Sequence, residues 1–175
     1  LRCSYCDTKR AQTREHAVRI SPEELAENVA SSGLNLVEIT GGEPMLQQDG
    51  VVQLSELLLN DRRRVLIETN GSCDLSMLPV GVIRIIDFKT PSSGEHARMF
   101  EPNFSAVRPV DEVKFVLSDE RDYRFALDTI ARFQLDKQTD NILFSPVFGR
   151  LKADDLAAWM LRDKPKARLN LQLHK

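Results

Sequence analysis

Six short apolar runs recur along the chain, each closing in a polar or glycine-containing segment, and this recurrence constrains the fold more than any other feature. The runs are Leu34–Thr40, Val65–Gly71, Val82–Asp87, Glu112–Leu117, Asn141–Phe144 and Arg168–Leu173. They are rich in β-branched residues rather than strictly alternating, which predicts strands of a largely buried parallel sheet. Helical patterns fill the crossovers. Ser21 caps, Pro22 takes the first helical position, Glu24 completes a capping box and Gly33 ends the helix, with Leu25, Ala26, Val29 and Ala30 as its apolar stripe. A second helix runs from Pro44 to about Asn60, burying Val51, Val52, Leu54, Leu57 and Leu58; others span about Arg121 to Phe133 and about Ala153 to Leu161. The repeating unit of strand, polar turn and helix gives an α/β class and one domain over residues 1–175. Between Thr90 and Val110 the helical pattern fails. Pro91, Gly94, Pro102 and Pro109 predict an irregular loop there, functional or mobile.

The composition removes several classes of function. A net charge of -2, with Lys and Arg scattered, leaves no basic field for nucleic acid. No apolar run approaches the roughly 18 residues of a membrane span and no secretory signal pattern is present, so no membrane partner and a cytoplasmic address are expected. Three cysteines are too few and too odd in number for a disulfide framework, which favours metal or redox chemistry.

In β/α sheets and barrels, reactive groups gather where strands end, so five strand-end segments should share one face: 40–44, 68–71, 87–91, 117–120 and 145–149. A first strand preceding Leu1 would put the loop of Cys3 and Cys6 on the same rim. Two thiolates at C-x-x-C spacing can turn toward one ion or cluster, yet they supply only part of a ligand set. Cys73 is the one remaining thiol, and His16, His96 and His174 show no zinc-finger spacing. A zinc knuckle or a plain thiol pair therefore stands beside a cluster as a reading. Gly41-Gly42 can present bare backbone to a ligand, or can simply build a strand-to-helix turn. Gln172 and His174 alternate with Leu171 and Leu173, so the polar pair faces one side of the last strand, as a substrate contact or as a free chain end.

Cys3-Ser-Tyr-Cys6-Asp-Thr8, followed after a helix by Thr40-Gly41-Gly42-Glu43-Pro44, resembles the radical S-adenosylmethionine (SAM) superfamily. That superfamily has the signature C-x-x-x-C-x-x-C, whose three sulfurs hold a [4Fe-4S] cluster. With 68–71, 87–94, 145–147 and 171–175 added, the chain resembles the 7-carboxy-7-deazaguanine synthase family of queuosine biosynthesis. The resemblance implies a partial, TIM-like (β/α) barrel of about six strands, and a third cluster cysteine two positions before Leu1. It implies further that the first strand and a C-terminal extension lie outside residues 1–175.

Position by position, the resemblance makes Cys3 and Cys6 cluster ligands and gives Thr8 to a Mg²⁺ ion, although Thr8 could instead cap a turn. Gly41, Gly42 and Glu43 would receive the methionine part of SAM. Asp87, Phe88 and Lys89, with Ser145, Pro146, Val147 and Phe148, would line the rest of that cofactor; Asp87 and Lys89 could equally be a solvated pair. Thr40, Glu68, Asn70, Gln172 and His174 would meet the substrate, with turn-building by Asn70-Gly71 as the competing role. The implied reaction cleaves SAM to a 5′-deoxyadenosyl radical that takes a hydrogen from 6-carboxy-5,6,7,8-tetrahydropterin. Ring contraction with loss of ammonia then gives 7-carboxy-7-deazaguanine, the work of a carbon–nitrogen lyase, with the cofactors doing the hard chemistry. An electron donor such as flavodoxin and a homodimer belong to the same expectation. The rival readings are a glycyl-radical-enzyme activase, which needs an open groove for a protein loop, and a non-catalytic zinc-binding module.

Overall fold

Six strands pair in chain order to make one wholly parallel sheet: β1 (Leu36–Ile39), β2 (Arg64–Thr69), β3 (Ile83–Phe88), β4 (Glu112–Leu117), β5 (Ile142–Pro146) and β6 (Arg168–Leu169). The computed structural model describes residues 1–171 except Asp7, Arg14 and His16; residues 172–175, and with them Gln172 and His174, lie outside the described residues. When each strand pairs with its successor and never reverses, right-handed crossovers bring every connection to the same side of the sheet. The helices accordingly pack on one face: α1 (Pro22–Ser32), α2 (Gln48–Asn60), the short α3 (Pro102–Ser105), α4 (Glu120–Phe133), α5 (Leu135–Gln138) and α6 (Ala153–Asp163). Among the described residues no pairing joins β1 to β6, so the sheet is an open partial barrel. No helix among them is long and apolar enough to cross a membrane.

The strand register sorts side chains onto the two faces. Ile67, Ile86, Phe88, Val113, Phe115 and Phe144 point toward the helices and are buried. Glu38, Glu68, Asp87 and Lys114 occupy the alternate positions and point the other way. The apolar runs predicted strands buried on both sides, and the structure corrects this. The other face has no helix layer and mixes Leu66, Ile83, Ile85 and Val116 with the charges of Glu38, Glu68, Asp87, Glu112 and Lys114.

Local sequence explains the element ends. Ser21 Oγ accepts from the Glu24 N–H at 3.1 Å, and Gly33 takes the left-handed conformation (φ 71°) that stops α1. The second helix departs from expectation: Pro44–Gln47 is a 3-10 turn and α2 begins at Gln48. The Glu43 side chain caps that turn through the Met45 N–H.

The stretch from Thr90 to Val110 also differs from the expected irregular loop. It holds two 3-10 turns and α3, and Phe104 from α3 is fully buried with its ring 4.3 Å from that of Phe88. Asn103 ties the segment down, donating to the Gly71 and Cys73 carbonyls at 3.2 and 2.7 Å while accepting from the Leu75 N–H at 3.1 Å. The aromatic residue, not helical periodicity, carries the order there, since one buried Phe contributes as much apolar area as two or three small residues.

At the opposite end of the sheet, the fully buried Asp111 accepts from both the Arg84 and the Arg108 guanidinium groups and from the backbone N–H of each. Burial alone would raise its pKa, but these donors outweigh burial and hold it at about 2. Asp111→Ala leaves two guanidiniums facing a void and should cost about 3–5 kcal/mol in urea unfolding. A loss below about 1 kcal/mol would contradict the assigned role. Because the folded pKa is depressed, this carboxylate's contribution is complete above pH 4 and is lost as pH falls toward 2. The stability of Asp111→Ala should therefore depend less on pH in that window than that of the parent.

Candidate active site

The charged face of the sheet and the N-terminal loop enclose a cavity of about 570 Å³, a size suited to small-molecule ligands. Glu68, Asp87, Lys114 and Val116 form its floor, one strand after another. Cys3, Tyr5, Cys6 and Thr8 approach from the N-terminal loop, while Thr40, Gly41, Gly42 and Asn70 close the side made by the ends of β1 and β2.

Glu43 joins those two strand ends. Its Oε1 accepts from the Met45 N–H at 3.0 Å and the Thr69 hydroxyl at 2.8 Å, and its Oε2 accepts from the Asn70 N–H at 2.8 Å. Gly41, at φ 145°, supplies a backbone conformation that other residues rarely adopt, and Gly42 lets the Lys9–Gln12 turn lie against it. A Cβ on Gly42 would come within 2.7 Å of the Ala11 carbonyl oxygen. Asn70 then turns the chain: its Oδ1 accepts from the Ser72 N–H at 3.0 Å, and Gly71 takes φ 70°. Turn-building is thus real for Asn70, yet the residue also lines the cavity.

The cysteine loop is held by the segment after β3. The Ser4 N–H donates to the Ser93 carbonyl at 3.0 Å and its hydroxyl to the Ser92 carbonyl at 2.8 Å; the Arg2 N–H donates to Glu95 at 2.8 Å. That segment is itself fixed by the fully buried Asp122 of α4, which accepts from the Ser92 and Ser118 N–H groups at 3.0 and 2.9 Å. Tyr5 donates to the Val116 carbonyl at 3.3 Å, beside the Thr90 hydroxyl, which donates to the same oxygen at 3.1 Å. Burial, followed by the nearby Asp87, pushes the Tyr5 phenol up to about 12, so it stays neutral.

Two cations balance the carboxylates of the floor. Lys89 lies 2.7 Å from Asp87, and although burial works against its charge, Asp87 more than compensates and raises its pKa. Lys114 pairs with Glu68 and is likewise raised by Asp87 and Glu68 against the effect of burial. Asp87 Oδ1 is buried with no partner among the described residues. Burial, and then the Glu68 charge, raises the pKa of Glu38 one strand away. Cys3 is raised by burial, with Lys89 opposing.

Of the residues expected at the site, Cys3, Cys6, Thr8, Thr40, Gly41, Gly42, Glu68, Asn70, Asp87 and Lys89 do line the cavity. Thr8 stands at the N-cap of the turn that follows it without a side-chain cap bond among the described residues, and its Oγ1 lies 3.9 Å from Cys6 Sγ. Phe88 is a correction. It alternates with Asp87 and Lys89, so its ring lies on the helix side of the sheet, stacked near Phe115 and Phe104. Glu43 is another, since its carboxylate is engaged by three donors of its own chain and does not reach the cavity. The segment 145–148 is set back: Ser145 is fully buried and accepts from Asn170 Nδ2 at 3.0 Å, Val147 bonds to the end of β4, and Phe148 points to solvent. Pro146 sits in register with Leu117 on the helix side.

Lys114, Tyr5 and Asn170 line the cavity without having been expected there. The parity that placed Gln172 and His174 on one face also includes Asn170, and Lys114 stands at the one alternate position of its strand that carries a cation. Neither signal indicates its partner without the register.

Residues 1–86 match the family model of the radical SAM superfamily. The fold is similar to that of the crystal structure of QueE from Escherichia coli, at a TM-score of 0.70 over 97% of this chain and 79% of that one, with 20% identity. SuiB from Streptococcus suis bound to S-adenosylmethionine superposes with a TM-score of 0.64 over 98% of this chain and 47% of that one, at 11% identity. The sheet has the fold of the radical SAM superfamily, whose family model the N-terminal part of the chain matches. The chain is 37% identical to the 7-carboxy-7-deazaguanine synthase of Koribacter versatilis, covering 100% of this chain and 82% of the relative. It is 38% identical to that of Clostridium acetobutylicum, covering 100% and 81%. The chain belongs to the 7-carboxy-7-deazaguanine synthase family.

Glu43→Gln places an amide N–H₂ on an oxygen position where one or two donors already point. It should lower stability by about 1–3 kcal/mol and abolish the slow hydrogen exchange of the Asn70 amide. Unchanged protection at Asn70 would show that the carboxylate does not hold the strand ends together.

Proposed function

We propose that this chain converts 6-carboxy-5,6,7,8-tetrahydropterin to 7-carboxy-7-deazaguanine with loss of ammonia, as a radical SAM carbon–nitrogen lyase. The observation that carries this reading is the charged sheet face enclosed beneath the cysteine loop. A cavity of about 570 Å³ floored by Glu68, Asp87 and Lys114 suits a small, polar, heterocyclic ligand better than the extended peptide loop an activase must admit.

The cofactors fit the residues present. Cys3 and Cys6 are free thiols on the cavity rim, soft donors of the kind an iron–sulfur cluster takes, and no group of three His, Cys, Asp or Glu forms a competing hard-metal site among the described residues. Two sulfurs are what residues 1–175 contribute to that cluster. When bound, the cluster and SAM supply one-electron cleavage chemistry and the hydrogen-abstracting radical. The protein orients and shields. Exposed backbone at Gly41 and Gly42 receives the amino acid part of SAM, and Asp87 and Lys89 take its polar groups. Asp87 Oδ1 has an acceptor to spare for this purpose.

Glu68 and Asn70 stand on the substrate side. A carboxylate accepts two N–H donors and an amide offers both polarities, the pattern that reads the edge of a pterin. Thr8 offers its hydroxyl to Mg²⁺, a hard ion that would draw the substrate carboxylate toward the rim. Gln172 and His174 complete the substrate contacts in this proposal. An external one-electron donor such as flavodoxin, and a homodimeric assembly, rest on the family resemblance alone.

The complete protein, reconstituted without oxygen and supplied with dithionite, SAM, Mg²⁺ and the carboxypterin, should form 5′-deoxyadenosine and 7-carboxy-7-deazaguanine together. Omission of Mg²⁺ should slow product formation by at least about tenfold. Formation of 5′-deoxyadenosine without the deazaguanine would overturn the substrate assignment. Tetrahedral zinc without iron would overturn the enzyme class.

A further inference from the structure

Lys114 is the third residue of β4, and its ammonium does not stop at the neighbouring strand. The register sets Lys114 directly beside Asp87 of β3, yet its Nζ reaches across that strand to Glu68 Oε1 of β2. On the other oxygen of the same carboxylate, the Thr40 hydroxyl of the loop after β1 donates at 3.3 Å. Glu68 is thus gripped from both sides, by Lys114 of β4 and by Thr40 just past the end of β1. Each carboxylate oxygen has about two acceptor positions, so one on each oxygen stays available to the cavity that Glu68 lines. The two remaining positions present a fixed, doubly accepting edge.

We propose that Lys114 is the positioning residue that makes Glu68 a reader of ligand donors. Held by Lys114, the carboxylate keeps its plane, and selects a cyclic-guanidine edge offering two N–H groups over an edge that offers an acceptor. The inference rests on the substrate reading given above and adds how the selectivity of that site is set.

Charge balance requires such a cation. Glu38, Glu68, Asp87 and Glu112 all lie on this face of the sheet, and Lys89 is committed to Asp87. Arg64 and Arg168 share this face, and Lys114 is the cation that reaches Glu68. It is nearly buried, and its pKa is raised by its acidic neighbours despite that burial, so it stays charged. A neutral residue there would leave the like charges of Glu68 and Glu38 without the cation that now opposes their repulsion, which favours rotation of one carboxylate away from the other. Lys114 need not touch the ligand to have this effect.

The test uses the complete, cluster-loaded protein with SAM and two air-stable fluorescent probes, pterin-6-carboxylate and lumazine-6-carboxylate. The second replaces the 2-amino donor with a carbonyl acceptor. Lys114→Met should weaken pterin-6-carboxylate by about tenfold or more and bring its Kd near that of the lumazine, while Lys114→Arg should restore most of the preference. In a double-mutant cycle, Lys114→Met added to Glu68→Gln should cost no more than about a further twofold, since both act through the same carboxylate. If Lys114→Met unfolds, Lys114→Arg and Glu68→Gln carry the test, and the arginine variant must keep the pterin-over-lumazine preference that Glu68→Gln loses. Additive losses in the cycle, or an unchanged preference in Lys114→Met, would overturn the inference. If the parent protein binds neither probe, the substrate reading fails, a result distinct from failure of the role assigned to Lys114.

Discussion

The parallel register that sets Asp87 of β3 beside Lys114 of β4 is the constraint on which the rest of the site depends. Successive strands paired in chain order send all crossovers, and so all helices, to one face. The other face is left without a helix layer, and its half-buried charges are held by pairing, Lys89 with Asp87 and Lys114 with Glu68. A shift of one residue in β3 or β4 would exchange the faces of that strand, driving Asp87 or Lys114 into the core and Phe88 or Phe115 into the cavity. Burial of those two rings on the helix side therefore fixes the position of the charges on the cavity side.

The rim is made rigid by carboxylates that never enter the cavity. Glu43 joins the end of β1 to that of β2 through three donors, and Asp122 holds the segment on which the cysteine loop rests. Both are buried and use their oxygens on backbone or hydroxyl groups of neighbouring turns. Buried polar groups satisfied in this way specify one arrangement of otherwise irregular loops. A residue in a family motif can thus serve the site by holding the chain that forms it.

Much of the fold was legible because strand, turn and helix signals recurred at short range. Ser21, Pro22 and Gly33 bracketed α1, and the strand-end segments did gather on one rim. The cavity residues that were legible are those at strand ends, Thr40, Glu68, Asn70, Asp87 and Lys89, together with the two cysteines. Lys114 was not, because nothing in Glu112–Leu117 says which strand lies beside it; its partner is 46 residues away in β2. Phe88 and Glu43 were misplaced because adjacency to a motif says nothing of parity or of local partners. The order of residues 90–110 was hidden for a related reason: a single aromatic side chain, Phe104, holds them through contacts with β3 and α4.

A crystal structure of the complete protein with SAM and the carboxypterin bound would test the central claim most directly. The account predicts the pterin edge against Glu68 and Asn70, with Lys114 still paired to Glu68 beneath it and the cysteine loop resting on Ser92 and Ser93. A pterin bound outside the charged sheet face, or Lys114 swung away from Glu68 to hold the ligand itself, would contradict it.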